Sequence, residues 1–215
     1  MKSTEFDALW LESVPGDLLN GKAVLPRPLQ KGQVRVEVRL SGVCGSQLME
    51  ARGKRGRDPW LPHLLGHEAV GQILEVGAEV TKVQPGQDVV LTWIKGAGCD
   101  APGGDVEVDG KRINAGPITT FSRITVVSEN RVVPLPPGIP DDAGVLFGCA
   151  LPTGLGMVLN ELNPGSGESA ILIGLGGVGL CSLMGLVISG CSPIIVVDPS
   201  AEKRALAKDL GLQAM

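Results

Sequence analysis

The chain has 215 residues, 43% of them hydrophobic, enough for one large or two modest domains. A net charge of −4 and a pI near 5.2 argue against a general binder of nucleic acid or anionic membrane. No apolar run approaches the ~18 residues that span a bilayer, and the opening MKSTEFDALW lacks the apolar core of a signal peptide.

In chain order, KGQVRVEVRL comes first among the clear elements. It alternates Val34, Val36 and Val38 with Arg35, Glu37 and Arg39, the period of a strand with one face in water. EAVGQILEVG and QDVVLTWI are further β-rich runs, separated by the turn signal Pro85-Gly86. SRITVVSENRVVPLPPGIP predicts two short strands and a proline-rich exit. The texture changes at Asp141 and Asp142, which can cap a short apolar helix in DDAGVLFGCA. Pro152 interrupts that helix, and TGLGMVLNEL predicts a second one. From Ser166 the pattern becomes strand, turn, helix, strand, helix: SAILIG, GGVGLCSLMGLVIS, PIIVVD and the amphipathic SAEKRALAKDLG. The expected division is a β-rich domain over 1–150 and the start of a doubly wound α/β domain over 151–215. A doubly wound sheet normally has about six strands, so the chain is expected to be a piece of something longer.

Gly174-Leu175-Gly176-Gly177-Val178-Gly179 matches G-x-G-x-x-G between a strand and a helix. The first glycine permits a tight turn, the second admits a pyrophosphate, and the third lets helix and strand pack closely. The helix N-terminus then offers amide donors to the phosphates. Asp198, at the end of the next strand, can accept hydrogen bonds from ribose hydroxyls and repel a 2′-phosphate, which predicts NAD. Lys203 and Arg204 nearby could tolerate that phosphate.

The five cysteines, Cys44, Cys99, Cys149, Cys181 and Cys191, are odd in number and irregularly spaced. That pattern fits a reducing compartment, the cytoplasm. Cys44 and Cys149 with His67 make a Cys2His set that leaves the fourth tetrahedral position open, as a catalytic zinc requires. Spacing alone favours three core-filling residues; the nucleotide motif tips the balance towards metal.

Four segments, SGVCGSQ, LPHLLGHEAVGQILEVGAEVTKVQPGQDVV, FGCALPTGLG and ILIGLGGVGL…IIVVD, carry a resemblance to the medium-chain zinc-dependent alcohol dehydrogenases. The resemblance runs from about residue 14 to the end. It implies a GroES-like β-rich catalytic domain followed by the first half of a Rossmann domain, α/β overall. It puts Cys44, His67 and Cys149 at the catalytic zinc-ligand positions and Glu68 at a carboxylate position beside the metal. Ser46 matches a hydroxyl that contacts the alcohol, and Thr153 a residue packing on the nicotinamide. The implied cofactors are one catalytic zinc and NAD. The implied partner is a small alcohol or carbonyl compound, in a homo-oligomer when the chain is full length.

The chain also departs from the family. WIKGAGCDAPGGDVEVDGKRINAG has only Cys99 where a structural zinc lobe needs four cysteines, so no structural zinc is expected. Gln47 stands where the family usually has an aspartate orienting the ligand histidine; its amide could accept the same hydrogen bond without adding charge. Met49 stands at a common proton-relay histidine, leaving Ser46, water or Glu50 for that task. His63 reads as a polar residue near the site mouth rather than a ligand. The cations Arg52, Lys54, Arg55 and Arg57 read as a solvated loop, with the alternative that they overhang the cleft and favour an anionic substrate. Two other functions stay open: a non-catalytic NAD-binding regulator of the same fold, and a zinc-free quinone-type reductase, a group that generally lacks the Cys/His/Cys set.

Overall fold

The computed structural model describes residues 5–25 and 28–215; Met1–Thr4, the head of the stretch inspected for a signal peptide, lie outside the described residues. The chain divides into two compact units, Met1–Gly148 and Cys149–Met215. Among the described residues no single helix is long and apolar enough to cross a membrane.

In the first unit β1 (Phe6–Leu11) and β2 (Leu18–Ala23) form an antiparallel hairpin. β3 (Gln33–Ser41) leads into the short helix α1 (Gly45–Ala51), and β4 (His63–Leu64) then adds to β1. β5 (Ala69–Val76) and β6 (Asp88–Leu91) follow, then the ribbon of β7 (Val106–Val108) and β8 (Lys111–Ile113). β9 (Ile124–Ser128) turns through a single 3-10 turn, Glu129–Arg131, into β10 (Val132–Pro134).

The alternating strand read from KGQVRVEVRL is β3, at the heart of an antiparallel sheet ordered β10-β6-β5-β3-β9. Val34, Val36 and Val38 point into a core with Ile73, Val89, Leu91 and Val127. Each such side chain contributes ~1.5–3 kcal/mol on burial. Pro134 is tolerated because β10 is an edge strand. A second core gathers Phe6, Trp10, Leu64, Val106 and Ile113 under β1. β1, β2, β4, β7 and β8 were not read from the sequence, because they are short and rest on cross-strand partners distant in the chain.

The first unit ends with α2 (Asp141–Gly144) and a 3-10 stretch, Val145–Gly148; in the second, α3 spans Ala150–Gly156 and continues as one π-helical stretch, Met157–Leu162. Pro152 does not interrupt the helix as expected. It lies in the first turn, where its missing N–H has no intrahelical acceptor to satisfy. β11 (Ala170–Ile173), α4 (Gly177–Ile188), β12 (Ile194–Val197) and α5 (Ala201–Asp209) fall where the sequence put them. A third strand, β13 (Gln213–Ala214), extends the parallel sheet in the order β11-β12-β13; two residues are too few to show a period. The α/β class stands: a β-rich unit and then a βαβα run closed by a short strand.

Candidate metal centre and nucleotide turn

Where β3 ends, Cys44 takes the N-cap position of α1 with extended backbone (φ −99°, ψ 150°). Gln47, three residues on, reaches back: its Oε1 accepts the Cys44 N–H at 2.8 Å, as the third helical residue does in a capping box. Its Nε2 lies 2.7 Å from Nδ1 of His67. A backbone N–H can only donate, so the amide atom facing it is the oxygen and the nitrogen must face the ring. The amide therefore donates to His67 rather than accepting from it, contrary to the expectation from sequence.

His67 follows β4 on the loop into β5. Its Nε2 is buried with no hydrogen-bond partner, a state that costs ~1–3 kcal/mol unless something fills it. A ring nitrogen of His67 lies within 4.8 Å of Cys44 Sγ. Burial first, and the charge of Arg55 second, push the imidazole pKa down, which keeps the ring neutral. A thiol beside a neutral imidazole with an unsatisfied buried nitrogen is a donor set that suits zinc.

Glu68 is 5% exposed and wedged between glycines. A Cβ on Gly42 would sit 2.6 Å from its carboxyl carbon, and one on Gly148 would sit 2.7 Å from its Cβ. Gly148 is also held by its carbonyl, which accepts from Thr92 Oγ1 at 2.7 Å. Cys149 follows one peptide bond later as the first residue of the second unit. Ser46 is half-buried on α1, and Met49 beside it is exposed.

His63 is more than a polar residue at a mouth. It is buried, with Nδ1 2.8 Å from the Leu64 carbonyl and Nε2 2.8 Å from Asp58 Oδ2. Burial raises the Asp58 pKa, but the Trp60 N–H and His63 outweigh it and hold the carboxyl below its ordinary value. The two ring nitrogens thus face oxygen atoms on either side, the Leu64 carbonyl and the Asp58 carboxylate. Glu50 Oε1 lies 3.7 Å from its Nε2, and Arg55 is 3.7 Å from Glu50. A cavity of about 320 Å³ is lined by Gln47, Glu50, Trp60, His63, His67 and Thr119 among others. Asp58 and Thr119 were missed from sequence; the only signal was an acid five residues before a histidine.

In the second unit Gly174 has φ +91°, open to glycine. A Cβ on Gly179 would fall 2.0 Å from the Gly174 carbonyl oxygen, so the turn and α4 touch backbone to backbone. Gly176 caps α4 and Gly177 opens it, and a Cβ on either would meet open space. Leu175 is buried, whereas Val178 is exposed. Asp198 is 5% exposed. Its Oδ2 accepts the Leu175 N–H at 2.7 Å and its Oδ1 the Ser200 N–H at 2.8 Å, and these bonds lower its pKa. Asp198 thus ties the glycine turn to the turn before α5. Lys203 Nζ is 3.9 Å from Asp198 Oδ2, and Arg204 donates to the carbonyls of Asp198 and Pro199. Thr153 lies on α3, with its N–H donating to the Cys149 carbonyl at 3.0 Å.

Residues 30–137, half of the chain, match the alcohol dehydrogenase GroES-like domain family. The chain belongs to this family. Among related dehydrogenases, a putative alcohol dehydrogenase D of Mycobacterium tuberculosis is 33% identical over 204 residues, covering 84% of this chain and 55% of the relative. The class-P alcohol dehydrogenase of Arabidopsis thaliana is 34% identical over 211 residues, covering 86% of this chain and 55% of its own. The chain thus spans about half the length of the curated relatives it matches. The benzyl alcohol dehydrogenase of Acinetobacter calcoaceticus has a similar structure, with a TM-score of 0.84 at 26% identity over 98% of this chain and 63% of that one. The structural likeness covers both the β-rich unit and the βαβα run.

Proposed function

We propose that the chain carries zinc-dependent hydride transfer between an alcohol, or its aldehyde or ketone, and NAD. The supporting observation is the buried, unpartnered Nε2 of His67 in a ring that lies beside the Cys44 thiol. Cys149, tethered to the immobilised Gly148, would complete the set with Cys44 and His67. When bound, zinc supplies a Lewis acid that eases loss of an alcohol proton. The rest falls to the chain's own side chains. Ser46 accepts a hydrogen bond from the alcohol hydroxyl, and Glu68 offers a carboxylate next to the ligand histidine. Thr153 packs against the nicotinamide. The turn Gly174–Gly179 brings the pyrophosphate onto the N-terminus of α4, with Gly176, Gly177 and Val178 at the phosphate approach. Each Asp198 oxygen keeps a lone pair for a ribose hydroxyl, which favours NAD; Lys203 at its side tempers the preference over NADP.

In this proposal 1–150 is the GroES-like catalytic domain and 151–215 a partial NAD-binding domain, acting in the cytoplasm and, when full length, as a homo-oligomer. Among the described residues no disulfide joins any of the five cysteines, which fits a reducing compartment. Metal analysis of the purified protein, paired with NADH formation over a panel of alcohols, tests it. About one zinc per chain and zinc-dependent turnover are expected; a protein that takes up no zinc sinks it. A non-catalytic NAD-binding protein is the second possibility, favoured by one observation: the Gln47 amide nitrogen, not its oxygen, faces His67.

A further inference from the structure

Gln47 touches two groups that make opposite demands on it once a metal is present. Its oxygen is committed to the Cys44 N–H at 2.8 Å, so its NH2 points at His67 Nδ1 from 2.7 Å. Nδ1 must then accept, and a neutral imidazole that accepts at Nδ1 carries its proton on Nε2. Nε2 is the buried, unpartnered nitrogen. A metal needs the lone pair of that atom, not its N–H.

There are two ways to free the lone pair while the ring stays neutral. If the proton shifts to Nδ1, an N–H faces the Gln47 NH2. If the amide also turns over, its NH2 faces the Cys44 N–H instead. Either way one of the two contacts becomes donor against donor. A carboxylate at this position would accept from both partners at once. We propose that Gln47 holds His67 as the Nε2–H tautomer and thereby lowers the zinc affinity of the set containing Cys44 and His67. The effect on affinity rests on the zinc site proposed above; the effect on the tautomer does not.

The chain has only two histidines, so nitrogen NMR can read each ring in the metal-stripped protein. A His63→Gln variant leaves His67 as the sole signal and fixes the assignment. The expected pattern for His67 is protonation at Nε2; protonation at Nδ1 overturns the proposal. Zinc affinity is then compared by competition with a chromophoric chelator for the unaltered protein and Gln47→Glu. The carboxylate variant keeps the Cys44 capping bond, and a thermal melt verifies that it folds. It is expected to bind zinc ~10–100-fold more tightly, the usual scale for groups that orient a ligand histidine. Equal or weaker affinity in the variant overturns the proposal. If neither protein binds zinc, the metal site fails and the affinity half of the proposal falls with it, whatever tautomer is read.

Discussion

Glu129 accepts three backbone N–H groups, from Thr81 at 2.5 Å, Lys82 at 2.6 Å and Cys99 at 2.6 Å, while only 1% exposed. It ties the segment that contains Cys99, which has one cysteine where a structural zinc lobe needs four, to the Thr81–Lys82 backbone. Burial pushes its carboxyl pKa up, but the N–H groups of Cys99, Lys82 and Thr81 together win and bring it to about 2. A depressed carboxyl pKa contributes stability that is full above the unfolded value of 4.5 and fades as pH falls towards about 2. Glu129→Gln puts an NH2 against at least one of these donors. It should cost ~1–3 kcal/mol, and its melting temperature should show much less acid dependence between those two values than that of the unaltered protein. Asp198 plays the same part in the second unit, bridging Leu175 and Ser200. Asp198→Asn should lower stability by ~1–3 kcal/mol with no cofactor present. An unchanged melt would mean that these two bonds do not hold the turns together.

At the level of elements, the glycine turn before α4 separates packing from ligand approach. Gly179→Ala drives a methyl to 2.0 Å from the Gly174 carbonyl, which α4 can relieve only by moving away from the turn. A loss of ~1–3 kcal/mol, as for other overpacked sites, is expected in a thermal or urea melt. Gly177→Ala meets open space at the first position of the helix. It should leave stability unchanged or raise it by up to ~1 kcal/mol, while weakening NAD binding in a titration if phosphate approaches there. The strand β3 and helices α4 and α5 were legible in the sequence, because each shows enough turns or alternations to reveal a period. α3 was misjudged at Pro152, since a proline reads as a breaker until the N-cap is located at Cys149. The capping role of Gln47 was likewise hidden: the sequence placed it near His67 by family pattern but not the direction of its hydrogen bond.

Over the whole molecule each unit buries its own apolar side chains, the first in clusters around β3 and under β1 and the second around α4, β12 and α5. The second unit also leaves Ile171 68% and Ile173 81% exposed on β11, an edge strand. Exposed apolar side chains on an open edge favour association between chains. Ile173→Lys should therefore reduce light scattering at high concentration without lowering the melting temperature; a drop in stability would mean that the side chain is packed. The sequence by itself determined the βαβα run, the central strand and the candidate residues Cys44, His67, Cys149 and Gly174–Gly179, because periodicity and short motifs are local. Only the tertiary structure decided that Glu129 binds the Cys99 segment, that His63 is buried against the Leu64 carbonyl and Asp58, and that Gln47 turns its nitrogen to His67. Those outcomes depend on which donor meets which acceptor across distant segments, and hydrogen-bond direction is not written in residue spacing.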